Sequence, residues 1–65
     1  MGSIGSGEIM AIVTRDKDAI LFGGGVPVIL AQEQAEQDRI ANFLGQSLHA
    51  AVHDLENGVY ILVRY

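Results

Sequence analysis

The segments of this chain that look like β-strands are apolar on both of their faces, and this pattern constrains the fold most. The clearest case is VYILVRY at 59–65. Side chains alternate between the two faces of a strand, so Ile61 and Val63 point to one face while Tyr60 and Leu62 point to the other. A sheet with one face in water would alternate apolar and polar residues. The chain has room for one helix, which covers one face, so we expect something outside the chain to cover the other.

The size of the chain makes this burial problem acute. At 65 residues it forms one domain at most, and a domain of about this size buries only ~60% of the surface that its unfolded chain exposes. Small folds usually add a disulfide, a metal or a partner subunit. The sequence has no cysteine, although 49% of its residues are hydrophobic. We therefore expect a homo-oligomer, with a dimer as its simplest form, and no cofactor.

Charge and hydropathy exclude two classes of partner. The net charge is -4, from eight acidic and four basic residues, and the basic residues are scattered along the sequence. Nucleic acids and anionic lipids attract clusters of Lys and Arg, so we expect neither a nucleic-acid partner nor a membrane partner. No apolar run approaches the ~20 residues that a transmembrane helix needs. The sequence predicts a cytoplasmic protein.

The first residues form a separate segment. Residues 1–8 are rich in Gly and Ser and lack the basic and apolar regions of a signal peptide, so we expect a flexible tail. The sequence leaves open whether this tail belongs to the native protein, and Met10 is an alternative start. Residues 9–65 are expected to form a single α+β domain.

The first part of the domain predicts a β-hairpin. Apolar and β-branched residues fill Ile9–Thr14 and Ala19–Phe22, and the charged stretch RDKD separates them. A tight turn within RDKD would place Thr14 opposite Ala19.

The next segment begins with three glycines at 23–25, which permit any backbone angle. Val26–Leu30 is apolar again but contains Pro27, and proline lacks the N–H that a central strand needs. We therefore expect Val26–Leu30 to be a short edge strand or an extended lead-in to a helix.

Gln32–Leu44 predicts the one helix. Glu, Gln, Ala and Leu favour helix formation, and Glu33 and Glu36 lie early, where the helix dipole stabilises negative charge. Ala31 falls at the expected N-cap and Gly45 at the C′ position, where a left-handed residue ends many helices. The residues that share an apolar face are Ile40, Phe43 and Leu44.

The stretch Leu48–Leu55 admits two structures. As a strand it pairs with the last segment through Asn57 and Gly58, a dipeptide that strongly favours hairpins. As a helix it continues the earlier one beyond Gly45. We favour the hairpin because glycine costs a helix interior ~1 kcal/mol and Asp54 would oppose the dipole at a helix C-terminus. The predicted class is therefore α+β, a mainly antiparallel sheet of four to five strands with one helix on one face, in the order β-β-(β)-α-β-β.

The two faces of this second hairpin differ in character. If Asn57 and Gly58 form a two-residue loop, one face is aliphatic and should meet the helix; its members are Leu48, Val52, Val59, Ile61 and Val63. The other face mixes aromatic, aliphatic and charged residues, which is typical of protein interfaces. We therefore predict an interface formed by His53, Leu55, Tyr60, Leu62 and Arg64.

Candidates for chemistry are few. His49 and His53 share one face whether their segment is strand or helix, but a zinc site needs three or four ligands and the spacing fixes no third. The glycines at 23–25 match no phosphate-binding motif, and Thr14 and Ser47 lack the setting of a nucleophile. We assign no catalytic, cofactor-binding or metal-binding residue, and enzyme activity is the less favoured hypothesis.

Three hypotheses for function remain. The first is a small homo-oligomeric module for protein–protein interaction or regulation. The second is a small enzyme or ligand-binding protein whose site forms at the subunit interface, lined by His49, His53, Tyr60 and Arg64. The third is a compact inhibitor or antitoxin-like protein that holds a larger partner. The first is favoured because burial of apolar surface requires a partner, whereas no motif requires chemistry.

Overall fold

One helix packs on a four-stranded sheet, which confirms the predicted α+β class. The computed structural model describes residues 7–19 and 24–65. The elements are β1 (Glu8–Thr14), a short 3₁₀-helix (Lys17–Ala19), β2 (Val28–Leu30), α1 (Gln34–Leu48), β3 (Ala51–Asp54) and β4 (Val59–Arg64). Of the tail predicted over residues 1–8, residues 1–6 lie outside the described residues, and Glu8 already belongs to β1.

The sheet has the strand order β2-β1-β4-β3, so β1 and β4 are central while β2 and β3 form its edges. β4 runs antiparallel to β1 and to β3, whereas β2 runs parallel to β1. The sheet is therefore mainly antiparallel, as predicted. The short strand after Pro27 lies at an edge, so the edge-strand alternative is confirmed. The Pro27 carbonyl accepts a hydrogen bond from the Ile12 N–H at 2.9 Å.

The predicted first hairpin is wrong. Thr14, expected opposite Ala19, pairs with Leu30 on one side and with Val59 on the other, and Ala19 ends the 3₁₀-helix. β1 has a neighbour along each of its edges, so no edge is left for a strand that follows it directly. Residues 20–23, which complete the predicted second strand, lie outside the described residues.

The second hairpin is present in a register that differs from the predicted one. β3 confirms the strand alternative over Ala51–Asp54, which is half of the stretch 48–55, whereas Leu48 is the last residue of α1. Asp54 lies opposite Tyr60, and Leu55 donates its N–H to the Val59 carbonyl at 3.0 Å. The turn between the paired residues Leu55 and Val59 therefore has three residues, 56–58, where the prediction had two. A shift of one residue in pairing brings each side chain of β3 beside the opposite face of β4.

α1 begins later than predicted and extends further. Glu33, not Ala31, is the N-cap, and its side chain makes no capping hydrogen bond. Gly45 lies inside the helix, before the C-cap His49, which adopts the left-handed conformation at φ 55°. The glycine is explained by space, because a Cβ on it would lie only 3.1 Å from the Ala50 carbonyl oxygen. Gly45 therefore lets the chain turn from α1 into β3 in close contact with the helix.

The core lies between α1 and the face of the sheet that carries Tyr60 and Leu62. Its buried members are Ala11, Val13, Ala31, Ala41, Tyr60 and Leu62. The predicted assignment of faces is therefore wrong, because Val59 and Val63 lie on the face away from α1. In the observed register Val52 lies opposite Leu62, which places this aliphatic side chain of β3 on the helix side as well.

Three residues on the second face of the sheet are also buried within a single chain. Ile12, Val59 and Val63 have their side chains on this face, and they are 8%, 2% and 7% exposed. The expectation that something outside the chain must cover the second face is therefore wrong for these three residues.

Of the three residues predicted to form the apolar face of α1, two pack against the core and one does not. Ile40 and Leu44 pack against the core, but Phe43 is 68% exposed, since Gln37 and Ala41 occupy the buried stripe instead. Among the residues that the structure describes, the other large apolar side chains that are exposed are Ile9, Val28, Leu30, Val52, Leu55 and Tyr65. Within the described ranges, no helix is both long enough and apolar enough to cross a membrane.

Candidate functional site

A cleft of about 290 Å³ lies between α1 and the β3–β4 hairpin. α1 contributes Asp38 and Asn42, which lie one helical turn apart. β3 contributes Val52 and Asp54, which share one face of the strand, and Tyr60 enters from β4. The volume is at the lower limit of the ~300–1,000 Å³ typical of small-molecule sites, and most of the lining residues are exposed. The cleft is therefore an open recess of the surface, which suits a side chain of a partner better than a free ligand.

The Tyr60 hydroxyl fixes one wall of the cleft. It donates a hydrogen bond to Oδ1 of Asp38 and so ties β4 to α1. This hydrogen bond to a carboxylate, with loss of solvation and the negative charges of Asp38 and Asp54, raises the pKa of the Tyr60 phenol above its ordinary value of 10.0. The phenol is therefore protonated at neutral pH and remains a hydrogen-bond donor.

Two carboxylates make the cleft negatively charged. Oδ1 of Asp38 accepts the Tyr60 hydroxyl proton, and Oδ1 of Asp54 accepts the Glu56 N–H at 2.7 Å. Each carboxylate has a second oxygen that can accept further hydrogen bonds. Among the residues that the structure describes, no cationic side chain pairs with either of them. The cleft therefore offers free acceptors to a cationic group and repels anions.

The outer edge of β3 lies beside this cleft. Leu55 is hydrogen-bonded to Val59, and bonded pairs recur at every second residue of an antiparallel ladder, so His53 bonds to β4 as well. The N–H and C=O groups of Val52 and Asp54 therefore point away from β4, toward the open edge of the sheet. A strand that approached this edge would find two donors and two acceptors in place.

A buried glutamine holds α1 in position over the sheet. Gln37 is 0% exposed, and its Nε2 donates to the carbonyls of Val13 and Gly58, both at 3.0 Å. Its Oε1 accepts a hydrogen bond from Nε of Arg15 at 2.8 Å. Any sliding of the helix would break these bonds, so Gln37 also fixes the next residue, Asp38, beside the cleft.

The residues of the predicted interface lie in different environments. Tyr60 and Leu62 are buried in the core beneath α1, while Leu55 is 48% exposed at the end of the hairpin. Arg64 donates from Nε and Nη2 to the last carbonyl of α1, at 3.0 and 2.7 Å, and so caps the helix C-terminus. In a single chain, His53, Leu55 and Arg64 lie at the surface. Leu62 offers no surface to a partner, and Tyr60 reaches the surface only where it lines the cleft.

The two histidines do not share the single face that their spacing predicted. His49 caps α1 and His53 lies in β3, so the chain changes from helix to strand between them. Nε2 of His53 is 2.9 Å from the Tyr65 hydroxyl, and the two rings contact each other edge to face. The part of the chain that the structure describes holds no group of three or more His, Cys, Asp or Glu residues placed to bind a metal.

Sequence reasoning did not connect Asp38, Asn42 and Asp54. The available local signal was the i, i+4 spacing of Asp38 and Asn42 next to the small side chain of Ala41, which leaves room for a recess. The approach of Asp54 depends on how the hairpin packs against α1, and no local pattern encodes that contact.

A family of known proteins matches nearly the whole chain. The family model is described as Capping complex subunit for YIEGIA, and it matches residues 6–65. The chain belongs to this family. A subunit of a capping complex acts through contacts with other proteins, so the family confirms the predicted protein-interaction role in its general form. Neither a curated protein nor a solved structure matches this capping complex subunit.

Proposed function

We propose that this capping complex subunit binds YIEGIA directly, by protein–protein contact through the surface of its α+β domain. The observation that carries the proposal is the extent of the family match, which covers residues 6–65 and so includes α1 and all four strands. A match to an isolated hairpin or helix would indicate only a shared structural motif. A match over the whole domain supports a shared role.

The edges of the sheet suit such a role. Edge strands carry unpaired backbone groups that are ready to bond to another chain, and β2 and β3 are both edges. Exposed apolar side chains lie on both, with Val28 and Leu30 on β2 and Val52 on β3. Direct binding through one of these edges needs no rearrangement of the core.

Self-association is a second candidate, and the β2 edge favours it. The strand Val28–Leu30 carries no charge, and Val28 and Leu30 are 45% and 47% exposed. An edge without charged residues can pair with the same edge of another copy, because nothing on it opposes that contact. A homodimer formed in this way would leave the β3 edge free for YIEGIA.

Co-expression of the tagged chain with YIEGIA from the same organism tests both proposals. Chromatography with in-line light scattering should show a species that contains both proteins. Elution of the two proteins as separate species would contradict direct binding. For the chain alone, a mass of twice 7.0 kDa at micromolar concentration supports self-association, and a mass of 7.0 kDa contradicts it. Leu62→Asp, which places a charge in the core, serves as the unfolded control in both measurements.

A further inference from the structure

Resting on the proposed binding to YIEGIA, we propose that the cleft and the outer edge of β3 together form the docking site. We call this surface the β3 docking site and define it by Asp38, Asn42, Val52, Asp54 and Tyr60. Its occupant is an extended segment of YIEGIA that adds to the sheet as a fifth strand beside β3. One Arg or Lys side chain of that segment lies in the cleft between Asp38 and Asp54.

The backbone of β3 offers main-chain groups with which an added strand can pair. The N–H and C=O groups of Val52 and Asp54 point toward the open edge. Among the described strands, β3 has one neighbour, β4, on its opposite side. When an extended segment adds to a sheet edge, main-chain hydrogen bonds provide affinity and adjacent pockets select alternate side chains. The cleft is such a pocket, because it opens directly beside Val52 and Asp54.

Charge determines which side chain the pocket accepts. Asp38 and Asp54 each keep one carboxylate oxygen free of the hydrogen bonds described above, and among the described residues no cation neutralises them. A guanidinium group has five donors in a fork that matches carboxylates, and an ammonium group has three. The net charge of -4 would also attract a basic segment before contact.

The floor of the cleft suits the aliphatic part of the same side chains. Ala41 is buried at its base, and Val52 is 39% exposed at its rim. Lys and Arg commonly lay their methylene groups on apolar surface while the charged end reaches polar partners. A small acidic side chain or an anion would have neither contact, so the cleft favours a long basic side chain.

The same charges argue against a second copy of this chain at the β3 edge. Pairing of β3 with β3 in a register that sets the two Asp54 carboxylates opposite each other would be opposed, because like charges directly opposite on adjacent strands are destabilising. The uncharged β2 edge has no such obstacle. The occupant of the β3 docking site is therefore a different protein.

Two substitutions remove the charge of the cleft and keep its geometry. Asp38→Asn retains an oxygen that can accept the Tyr60 hydroxyl, and Asp54→Asn retains the acceptor for the N–H in the hairpin connection. Asp16→Asn is the matched control, since Oδ1 of Asp16 likewise accepts a main-chain N–H, that of Asp18 at 3.0 Å, but does not line the cleft. Circular dichroism establishes that each variant keeps the native fold.

Affinity for purified YIEGIA is then measured by titration calorimetry at low and at high salt. Each cleft substitution should weaken binding about tenfold, which corresponds to the loss of one desolvated charge pair. The double variant should be weaker still and should lose most of the salt dependence of the affinity. Asp16→Asn should bind as the wild type does.

A proline scan separates strand pairing from charge. Val52→Pro removes an N–H that points to the open edge and therefore breaks no hydrogen bond to β4. We expect it to weaken binding at least tenfold. Leu30→Pro, which removes an outward N–H at the β2 edge, should not. If Val52→Pro does not fold, the β3 docking site is judged by the two asparagine variants, which test the charge of the cleft.

The outcomes distinguish the inference from the function on which it rests. A wild-type chain that does not bind YIEGIA overturns both. A wild-type chain that binds, with a folded double asparagine variant of unchanged affinity and salt dependence, overturns the β3 docking site and leaves the proposed function standing. Unchanged binding by a folded Val52→Pro variant overturns the added strand.

Discussion

Replacement of Gln37 by methionine tests how α1 is held on the sheet. Methionine has nearly the same length and the same high helix propensity, so the change removes polar atoms without creating a large cavity. It removes three hydrogen bonds, to the carbonyls of Val13 and Gly58 and from Arg15. The side chain is 0% exposed, so water cannot replace these partners unless the helix moves.

The expected loss of stability depends on the hydrogen bonds that each former partner of Gln37 still makes. The Gly58 carbonyl still accepts the Arg15 N–H at 2.9 Å, and the ladder between β1 and β4 provides Val13 with a second partner at Tyr60. Neither carbonyl is orphaned, so each lost bond costs its net value of ~0.5–1.5 kcal/mol rather than a full desolvation penalty. We expect a loss of about 2 kcal/mol in the free energy of unfolding. A domain of this size has ~3–10 kcal/mol in total.

Urea unfolding monitored by circular dichroism measures this loss. In a thermal scan it should appear as a decrease in Tm of roughly 10 °C, since 1 kcal/mol shifts the Tm of so small a domain by ~4–8 °C. Gln46→Met is the matched control, because Gln46 lies in the same helix but is exposed. If Gln37→Met and Gln46→Met have the same free energy of unfolding within ~0.5 kcal/mol, the glutamine does not hold the helix and our reasoning is refuted.

Four further measurements follow from the contacts of β4. Asp38→Asn should lower the pKa of the Tyr60 phenol toward 10.0, because the carboxylate that raises it becomes a neutral acceptor; absorbance titration in a Tyr65→Phe background detects the shift, and an unchanged midpoint contradicts it. The pKa of Tyr60 is higher in the folded state than in the unfolded state. The wild type should therefore have its full stability below pH ~10 and lose part of it as pH rises through the folded-state pKa. Urea midpoints at alkaline pH measure this loss. Arg64→Met should cost about 1 kcal/mol in urea unfolding, since both of its bonds cap α1, and a cost near zero would argue against the cap. Leu62→Asp should abolish the cooperative transition, because a charge at a fully buried position costs several kcal/mol; a native-like spectrum would show that the position is not buried.

The parts of the fold that local sequence determines were predictable. The helix follows from the composition of residues 32–44, and the hairpin at the end of the chain follows from Asn57 and Gly58 between two extended segments. Pro27 correctly indicated that the strand next to it lies at an edge. Each of these signals acts within a few residues, where turn and helix propensities dominate.

The parts that depend on distant contacts were not predictable in the same way. β4 is apolar on both faces, so its pattern could not choose which face meets α1 or fix a one-residue difference in register. Thr14 was expected to pair nearby, yet its partners are Leu30 and Val59. Gln37 is polar and gave no sign of burial, because its partners are main-chain carbonyls of β1 and of the connection between β3 and β4. The β3 docking site could not be predicted for the same reason, since Asp38 and Asp54 come together only in the folded domain.

The central position of β1 has a consequence for synthesis of the chain. β1 leaves the ribosome well before its long antiparallel partner β4, at residues 59–64. Until those residues emerge, the buried side chains of β1, Ala11 to Thr14, belong to a strand without that neighbour, and such strands readily pair with other chains. A nascent polypeptide of this kind gains its protection only once β4 has emerged, so a ribosome stalled before that point would display an aggregation-prone segment to the cell.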